Sequence, residues 1–189
     1  MILGYFGNVG QGKTYGAVVE LKRLHDLGYI IYSNTWLIFP YKELTLDFIL
    51  DIVEKNLSLP DDCVFFIDEI SIWLDSRCSM SKRNRIISYF LAQTRKLGKN
   101  KDFGLILLFT VQFSHMIDKR LKSFLDVAIE SEKVELMGIK IFKQTKCFYK
   151  GKKSFVMESM IIGLIENYAL YDTRMKIKYE QDRYKEEEL

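Results

Sequence analysis

Two short stretches of this sequence gather residues that handle phosphate and water. The first is Gly7-Asn8-Val9-Gly10-Gln11-Gly12-Lys13-Thr14, which satisfies G-x-x-x-x-G-K-[ST] at each fixed position. Glycines let the main chain wrap an anion, so that backbone N–H groups and the N-terminus of a following helix face it. In such a loop the lysine reaches the β- and γ-phosphates and the hydroxyl residue ligates Mg²⁺. Lys13 and Thr14 occupy those places, between a five-residue apolar run and a helical one. The pattern predicts a nucleotide site built from all eight residues.

The second stretch is Cys63-Val64-Phe65-Phe66-Ile67-Asp68-Glu69, an apolar run that ends in two acids. Beside a phosphate loop, Asp68 is expected to hold Mg²⁺ through water and Glu69 to polarise the water that attacks the γ-phosphate. The adjacent glutamate also separates branches of chemistry. A signalling GTPase would carry Asp-x-x-Gly, whereas this chain has Asp68-Glu69-Ile70-Ser71. It would also carry Asn-Lys-x-Asp after a late strand. Asn100-Lys101-Asp102 has its Asp one place early and precedes its strand. ATP is the expected nucleotide, and hydrolysis the expected reaction.

Two more residues are candidates for the same chemistry. Gln112 closes the apolar run 105–109 and its polar end Thr110-Val111-Gln112. Where a strand lies between the phosphate-loop strand and the acidic strand, a polar residue at its end contacts the γ-phosphate or the attacking water. A glutamine bonded only to backbone reads equally as a strand terminus. Phosphoryl transfer also recruits an arginine, in cis or from a neighbour. Segment 77–101 offers eight cations and no acid. Arg95, near the end of its helix, is the first candidate for a finger acting in trans, with Arg83 and Arg85 behind it. Each of these cations also fits a solvated helix face, and the helix dipole favours one at Arg95 in any case.

These residues need elements to hold them. Apolar runs at 2–6, 29–33, 63–67, 105–109 and 126–130 predict strands, and amphipathic segments at 14–27, 44–55, 81–97 and 116–124 predict helices. Such alternation means βαβ units and a parallel sheet covered on both faces. From 133 to 156 the pattern becomes alternating strands with Gly138 and Gly151 at turns, which predicts an appended β-meander. Residues 1–173 are expected to form the main domain and 174–189 a charged tail.

The chain has 189 residues, 48% of them apolar and 28% charged, which is one globular domain rather than a disordered chain. Cys63, Cys78 and Cys147 form neither a disulfide framework nor a metal-binding pair, so a reducing, cytoplasmic setting is expected. The longest apolar stretch, 105–113, falls short of the ~20 residues that cross a bilayer. The net charge of +3 conceals a near-cancellation. Segment 77–101 carries +8 and 133–153 carries seven lysines and one glutamate, which leaves −11 on the remainder. Two basic stretches on an acidic body suit a polyanion. The stretch Lys146-Cys147-Phe148-Tyr149-Lys150-Gly151-Lys152-Lys153 interleaves aromatics with lysines, which suits sequence-independent contact with DNA, although a solvated hairpin has the same composition.

Taken together, segment 7–14, segment 65–69, Ser81-Lys82-Arg83-Asn84-Arg85 leading to Gln93-Thr94-Arg95-Lys96, and Thr110-Val111-Gln112 resemble the FtsK–HerA superfamily of DNA-pumping ATPases. Within it the likeness is to genome-packaging ATPases of archaeal and internal-membrane viruses and to zonula-occludens-toxin-like proteins. Ile117-Asp118-Lys119-Arg120 and Leu170-Tyr171-Asp172-Thr173 agree with it. The resemblance implies an α/β P-loop NTPase fold, a three-layer sandwich of the ASCE/RecA-like type, with the meander added. It implies ATP and Mg²⁺ as ligands, double-stranded DNA as partner, and a homo-oligomeric ring, usually hexameric. It also implies a capsid or membrane-vertex contact and a place in the host cytoplasm or virion. Toxin-like phage assembly proteins carry a membrane-spanning helix that is not found here, which points the expectation to packaging into a preformed shell. The alternatives are such a phage assembly ATPase, or a nucleotide-kinase-like phosphotransferase, for which no lid segment is visible.

Overall fold

The computed structural model describes residues 1–60, 62–74, 81–97, 104–112, 119–136, 139–150, 153–162 and 170–171. In chain order, the first half comprises β1 (Ile2–Phe6), α1 (Lys13–Asp26), β2 (Ile30–Ser33), β3 (Lys42–Glu43), α2 (Leu46–Lys55) and β4 (Cys63–Ile67). After a 3₁₀ turn at Ile70–Ile72 come α3 (Lys82–Leu97), β5 (Ile106–Val111), α4 (Lys119–Phe124), β6 (Val127–Leu136), β7 (Ile139–Lys150) and β8 (Lys153–Ile162).

The strands make one sheet in the order β3-β2-β4-β5-β1-β6-β7-β8. Neighbours from β3 through β6 run parallel, and β6-β7-β8 run antiparallel. β5 lies between β1 and β4, the arrangement expected for this fold class. Strands in the middle of a parallel sheet are covered on both sides and lack polar alternation. Accordingly β4 and β5 are buried at every position. Their side chains divide between two core layers. Phe65, Ile67, Leu107 and Phe109 face α2, α3 and α4, whereas Val64, Phe66, Ile106 and Leu108 face α1. The first layer is held by stacked rings, with Phe65 on Phe90 at 6.0 Å and Tyr32 on Phe48 at 5.5 Å. The result is the expected three-layer α/β sandwich. Among the described residues no helix is long and apolar enough to cross a membrane.

Helix ends follow local chemistry. The Phe48 N–H donates to Thr45 Oγ1 at 3.1 Å, so α2 begins after Thr45 rather than at Leu44, and Asn56 closes it in the left-handed region. At α3 the Asn84 N–H donates to Ser81 Oγ at 3.2 Å, so Ser81 caps the helix that begins at Lys82.

Two departures concern strands. β3 is two exposed residues, Lys42 and Glu43, too short and too polar to leave an apolar signal. The expected strand at 126–130 and the separate meander from 133 are continuous. β6 runs unbroken from Val127 to Leu136, and the antiparallel part extends to Ile162. Val127 and Ile129 are buried beside β1, whereas Glu132, Lys133, Val134 and Glu135 are exposed. Composition therefore changes in mid-strand while the backbone does not. The ribbon also sets acids opposite lysines. Glu132 pairs with Lys143 and Glu135 with Lys140 across the ribbon, and Lys143 forms a 3.0 Å ion pair with Glu158. Over 127–162 seven lysines face four glutamates, so the ribbon is less basic than segment 133–153 alone suggests.

Candidate active site

In a parallel sheet the C-terminal strand ends open onto one edge, where ligands bind. Here β1 delivers the glycine loop to that edge, β4 delivers Asp68 and Glu69, β5 delivers Thr110 and Gln112, and β2 delivers Asn34 and Thr35. Lys13, Thr14, Asp68, Glu69, Gln112, Thr35 and Tyr171 line one cavity of about 350 Å³ with the glycine loop.

The loop follows from its glycines. Gly7, Gly10 and Gly12 have φ of 140°, 76° and 83°, values that L side chains rarely adopt. Gly12 is the N-cap of α1, and no side chain caps that helix end. Beside Gly10 a Cβ would meet nothing within 4 Å, so it is the φ of 76° that calls for glycine there. Lys13 is only 6% exposed and donates from Nζ to the Asn8 carbonyl at 3.0 Å. Burial lowers its pKa, against the opposing pull of Glu69 and then Asp68. Val9 stands at the loop tip, 74% exposed. Gln11 turns its side chain away from the cavity, and its Oε1 accepts from the Lys133 N–H.

The acidic pair is held on all sides. Thr14 Oγ1 donates to Asp68 Oδ1 at 3.0 Å, and Thr110 Oγ1 donates to the same oxygen at 2.6 Å. The Glu69 N–H donates to Thr110 Oγ1 at 2.9 Å. Asn34 binds the Asp68 main chain twice, accepting from its N–H at 2.7 Å and donating to its carbonyl at 3.0 Å. Glu69 sits at φ 53° and ψ 61°, a left-handed conformation that costs a non-glycine residue on the order of 1 kcal/mol or more. Gln112 Nε2 lies 3.5 Å from Glu69 Oε1, at the outer limit of a hydrogen bond. Burial pushes both carboxyls above their ordinary range. For Glu69 the charge of Asp68 adds to this, with Lys13 opposing. For Asp68 the Thr110 and Thr14 hydroxyls and Lys13 oppose it.

A hydroxyl and a carboxylate 3.0 Å apart, both oxygen donors on the cavity wall, fit a hard divalent cation that shares its remaining ligands with a phosphate chain and water. Among the described residues no cluster of three or more His, Cys, Asp or Glu is placed to hold a metal alone.

Asn34, Thr35, Thr110 and Tyr171 belong to this site although the sequence did not single them out as site residues. Thr110 had a signal, as the one polar residue in Ile-Leu-Leu-Phe-Thr-Val of β5. Asn34 and Thr35 follow a strand, but only the sheet order shows that β2 abuts β4. Tyr171 arrives by an antiparallel bridge to Leu37, from 136 residues further along the chain than Thr35. Arg95 lies on α3, and its side chain is outside the described residues, as are those of Arg83, Lys119 and Arg120. Arg77, Ile117, Asp118, Asp172, Thr173 and the tail 174–189 are outside them altogether.

A parallel sheet with β5 between the glycine-loop strand and the acidic strand, with α1 leaving the loop, defines the P-loop ATPase fold. Neither a protein-family model nor a curated protein sequence matches the chain. Solved structures do match its fold. The N-terminal domain of zonular occludens toxin from Neisseria meningitidis superposes with a TM-score of 0.59 at 15% identity, over 90% of this chain and 98% of that one. B204, the DNA-packaging ATPase from Sulfolobus turreted icosahedral virus, superposes with a TM-score of 0.55 at 14% identity, over 82% and 95%. The genome packaging NTPase B204 from the related virus 2, in complex with ATPγS, gives 0.50 at 13% identity, over 82% and 95%.

Proposed function

We propose that this chain is the ATP-hydrolysing subunit of a motor that translocates double-stranded DNA, in viral genome packaging into a preformed capsid. It works as a homo-oligomeric ring, of hexameric size. The observation that carries the hydrolytic half is the meeting of Lys13, Thr14, Asp68, Glu69 and Gln112 on one cavity at the strand ends.

The roles follow from the geometry. Lys13 exchanges the Asn8 carbonyl for the β- and γ-phosphates, and its burial strengthens that attraction. The N–H groups of the uncapped α1 N-terminus face the same anion. Thr14 and Asp68 are the residues that would hold Mg²⁺, which when bound neutralises charge developing on the phosphate oxygens. Glu69 accepts the proton of the attacking water, and the raised pKa of its carboxyl makes it a better base than an exposed glutamate. Gln112, within reach of Glu69 Oε1, orients that water. Arg95 from a neighbouring subunit supplies positive charge to the transition state.

The DNA half is supported by the eight cations of 77–101, the lysines of the ribbon, and the likeness in fold to a DNA-packaging ATPase. The test is ATP turnover with and without duplex DNA. Duplexes of unrelated sequence should stimulate equally, and Glu69→Gln should lower turnover by about 10²-fold or more while nucleotide stays bound. Turnover indifferent to duplex and accelerated by a small phosphate acceptor would instead identify a nucleotide-kinase-like enzyme.

A further inference from the structure

The phosphate loop rests on the β6–β7 ribbon. A Cβ at Gly7 would lie 2.5 Å from the Ser131 carbonyl oxygen, and Gln11 Oε1 accepts from the Lys133 N–H at 2.5 Å. Beneath Gly12 lies the Phe142 ring, close enough that a Cβ there would collide with it. Gly16, in the first turns of α1, touches Gln144 in the same manner. Ser131 pairs with Gln144 across the ribbon and Lys133 with Phe142. The four contacts are therefore one continuous patch, with two residues from each strand.

Phe142 is the centre of this patch. It is 5% exposed yet belongs to neither core layer of the sandwich. Its burial includes Gly12 above it and the Tyr15 ring beside it, at 4.9 Å and 40°. A large apolar side chain buried against a glycine with φ 83° restricts where that glycine can move. Gly12 in turn sets the direction of the first N–H groups of α1, those of Lys13 and Thr14.

We propose that Phe142 is a positioning residue for the phosphate loop: its ring is the floor that holds Gly12 so that the Lys13 and Thr14 amides point at the phosphate chain of a nucleoside triphosphate. This rests on the nucleotide reading above and adds to it a requirement from the ribbon, far from the motif in sequence.

The experiment compares the full chain with Phe142→Ala, Phe142→Leu and Lys13→Ala. It measures ATPγS affinity, steady-state hydrolysis, and hydrogen exchange at 10–14 and across β6–β7. Phe142→Ala should weaken ATPγS binding and raise KM by about tenfold or more while kcat changes less, because the loss is one of ground-state binding. Phe142→Leu, which keeps an apolar floor, should recover most of the affinity. Exchange at 10–14 should speed up while the ribbon stays protected. Wild-type affinity in Phe142→Ala overturns the proposal. So does loss of ribbon protection together with affinity, or a Leu variant no better than Ala. If Phe142→Ala does not fold, Phe142→Leu and Phe142→Met carry the test, with affinity expected to fall below wild type and exchange at 10–14 to rise. Unchanged values in both overturn it. Failure of wild type itself to bind ATPγS overturns the nucleotide reading instead, and the proposal with it.

Discussion

Thr110 has one hydroxyl and uses it twice. It donates to Asp68 Oδ1 at 2.6 Å and accepts from the Glu69 N–H at 2.9 Å, so a single buried group aligns the side chain of one acid with the main chain of the next. Valine has the same shape without the hydroxyl. Thr110→Val should therefore destabilise the protein by about 1–3 kcal/mol, the cost of leaving the Glu69 N–H unpaired and Asp68 Oδ1 with the Thr14 hydroxyl alone, and should lower turnover as well. Urea unfolding beside a hydrolysis assay checks both. An unchanged unfolding midpoint would mean that water replaces the hydroxyl. The acids themselves predict a pH effect. Burial raises both carboxyl pKa values, most directly for Glu69, where the Asp68 charge adds to it. Between the unfolded and folded pKa values the folded state then binds more protons than the unfolded one, so stability falls as pH rises across that window. Below the unfolded value, near 4, both states are protonated and the penalty is absent. Free of nucleotide, the contribution of Glu69 to stability should fall as pH climbs from about 4 through its raised pKa. Glu69→Gln should flatten that decline and be the more stable form at pH 7. Unfolding midpoints across pH test this, and parallel curves for the two proteins would refute it.

At the scale of elements, what the sequence discloses is what its local chemistry dictates. The loop 7–14 and the run 63–69 were legible because each is a complete chemical unit between recognisable neighbours, and the strands and helix they predict are present. The ribbon was only half legible. Its strands alternate visibly, but β6 is apolar where it lies beside β1 and charged where it projects, and a window read by composition divides it. Contacts such as Asn34 with Asp68, or Phe142 with Gly12, depend on sheet order and register. No local pattern encodes those. Helix starts lie between these cases, since a cap is local yet shares its composition with turns. Thr45 shows it: the apolar pattern begins at Leu44, but the Thr45 hydroxyl takes the Phe48 N–H and sets the helix start at Leu46. Thr45→Ala should cost about 1 kcal/mol, and Thr45→Ser or Thr45→Asp should cost much less, because either can accept the same bond. Denaturation of the three variants is the check, and equal losses in all of them would place the effect in packing instead of capping.

For the whole molecule, the cavity raises a question of charge. Among the described residues that line it, Lys13 is the cation, facing Asp68 and Glu69. A transition state that spreads negative charge over a transferring phosphoryl group needs more than that, and arginine supplied by a neighbour is the usual remedy. α3 ends at Leu97, two residues beyond Arg95, on the layer of the sandwich opposite α1. In the ring proposed above, an arginine of α3 would act on the next subunit's nucleotide. The consequence is separable by mixing. Arg95→Ala subunits retain an intact loop and acids but lack the proposed finger. Lys13→Ala subunits retain the finger but cannot hold nucleotide. Each should be nearly inactive alone, and a mixture should regain part of the wild-type rate, because some sites then combine an intact loop with a neighbour's Arg95. Recovery should depend on the mixing ratio and vanish when rings are diluted apart, which turnover measured beside solution mass would show. If mixed rings assemble at the wild-type mass and stay inactive, Arg95 is not the finger. The same experiment repeated with Arg83→Ala and Arg85→Ala then decides whether another cation of α3 takes the role or the site completes itself within one chain.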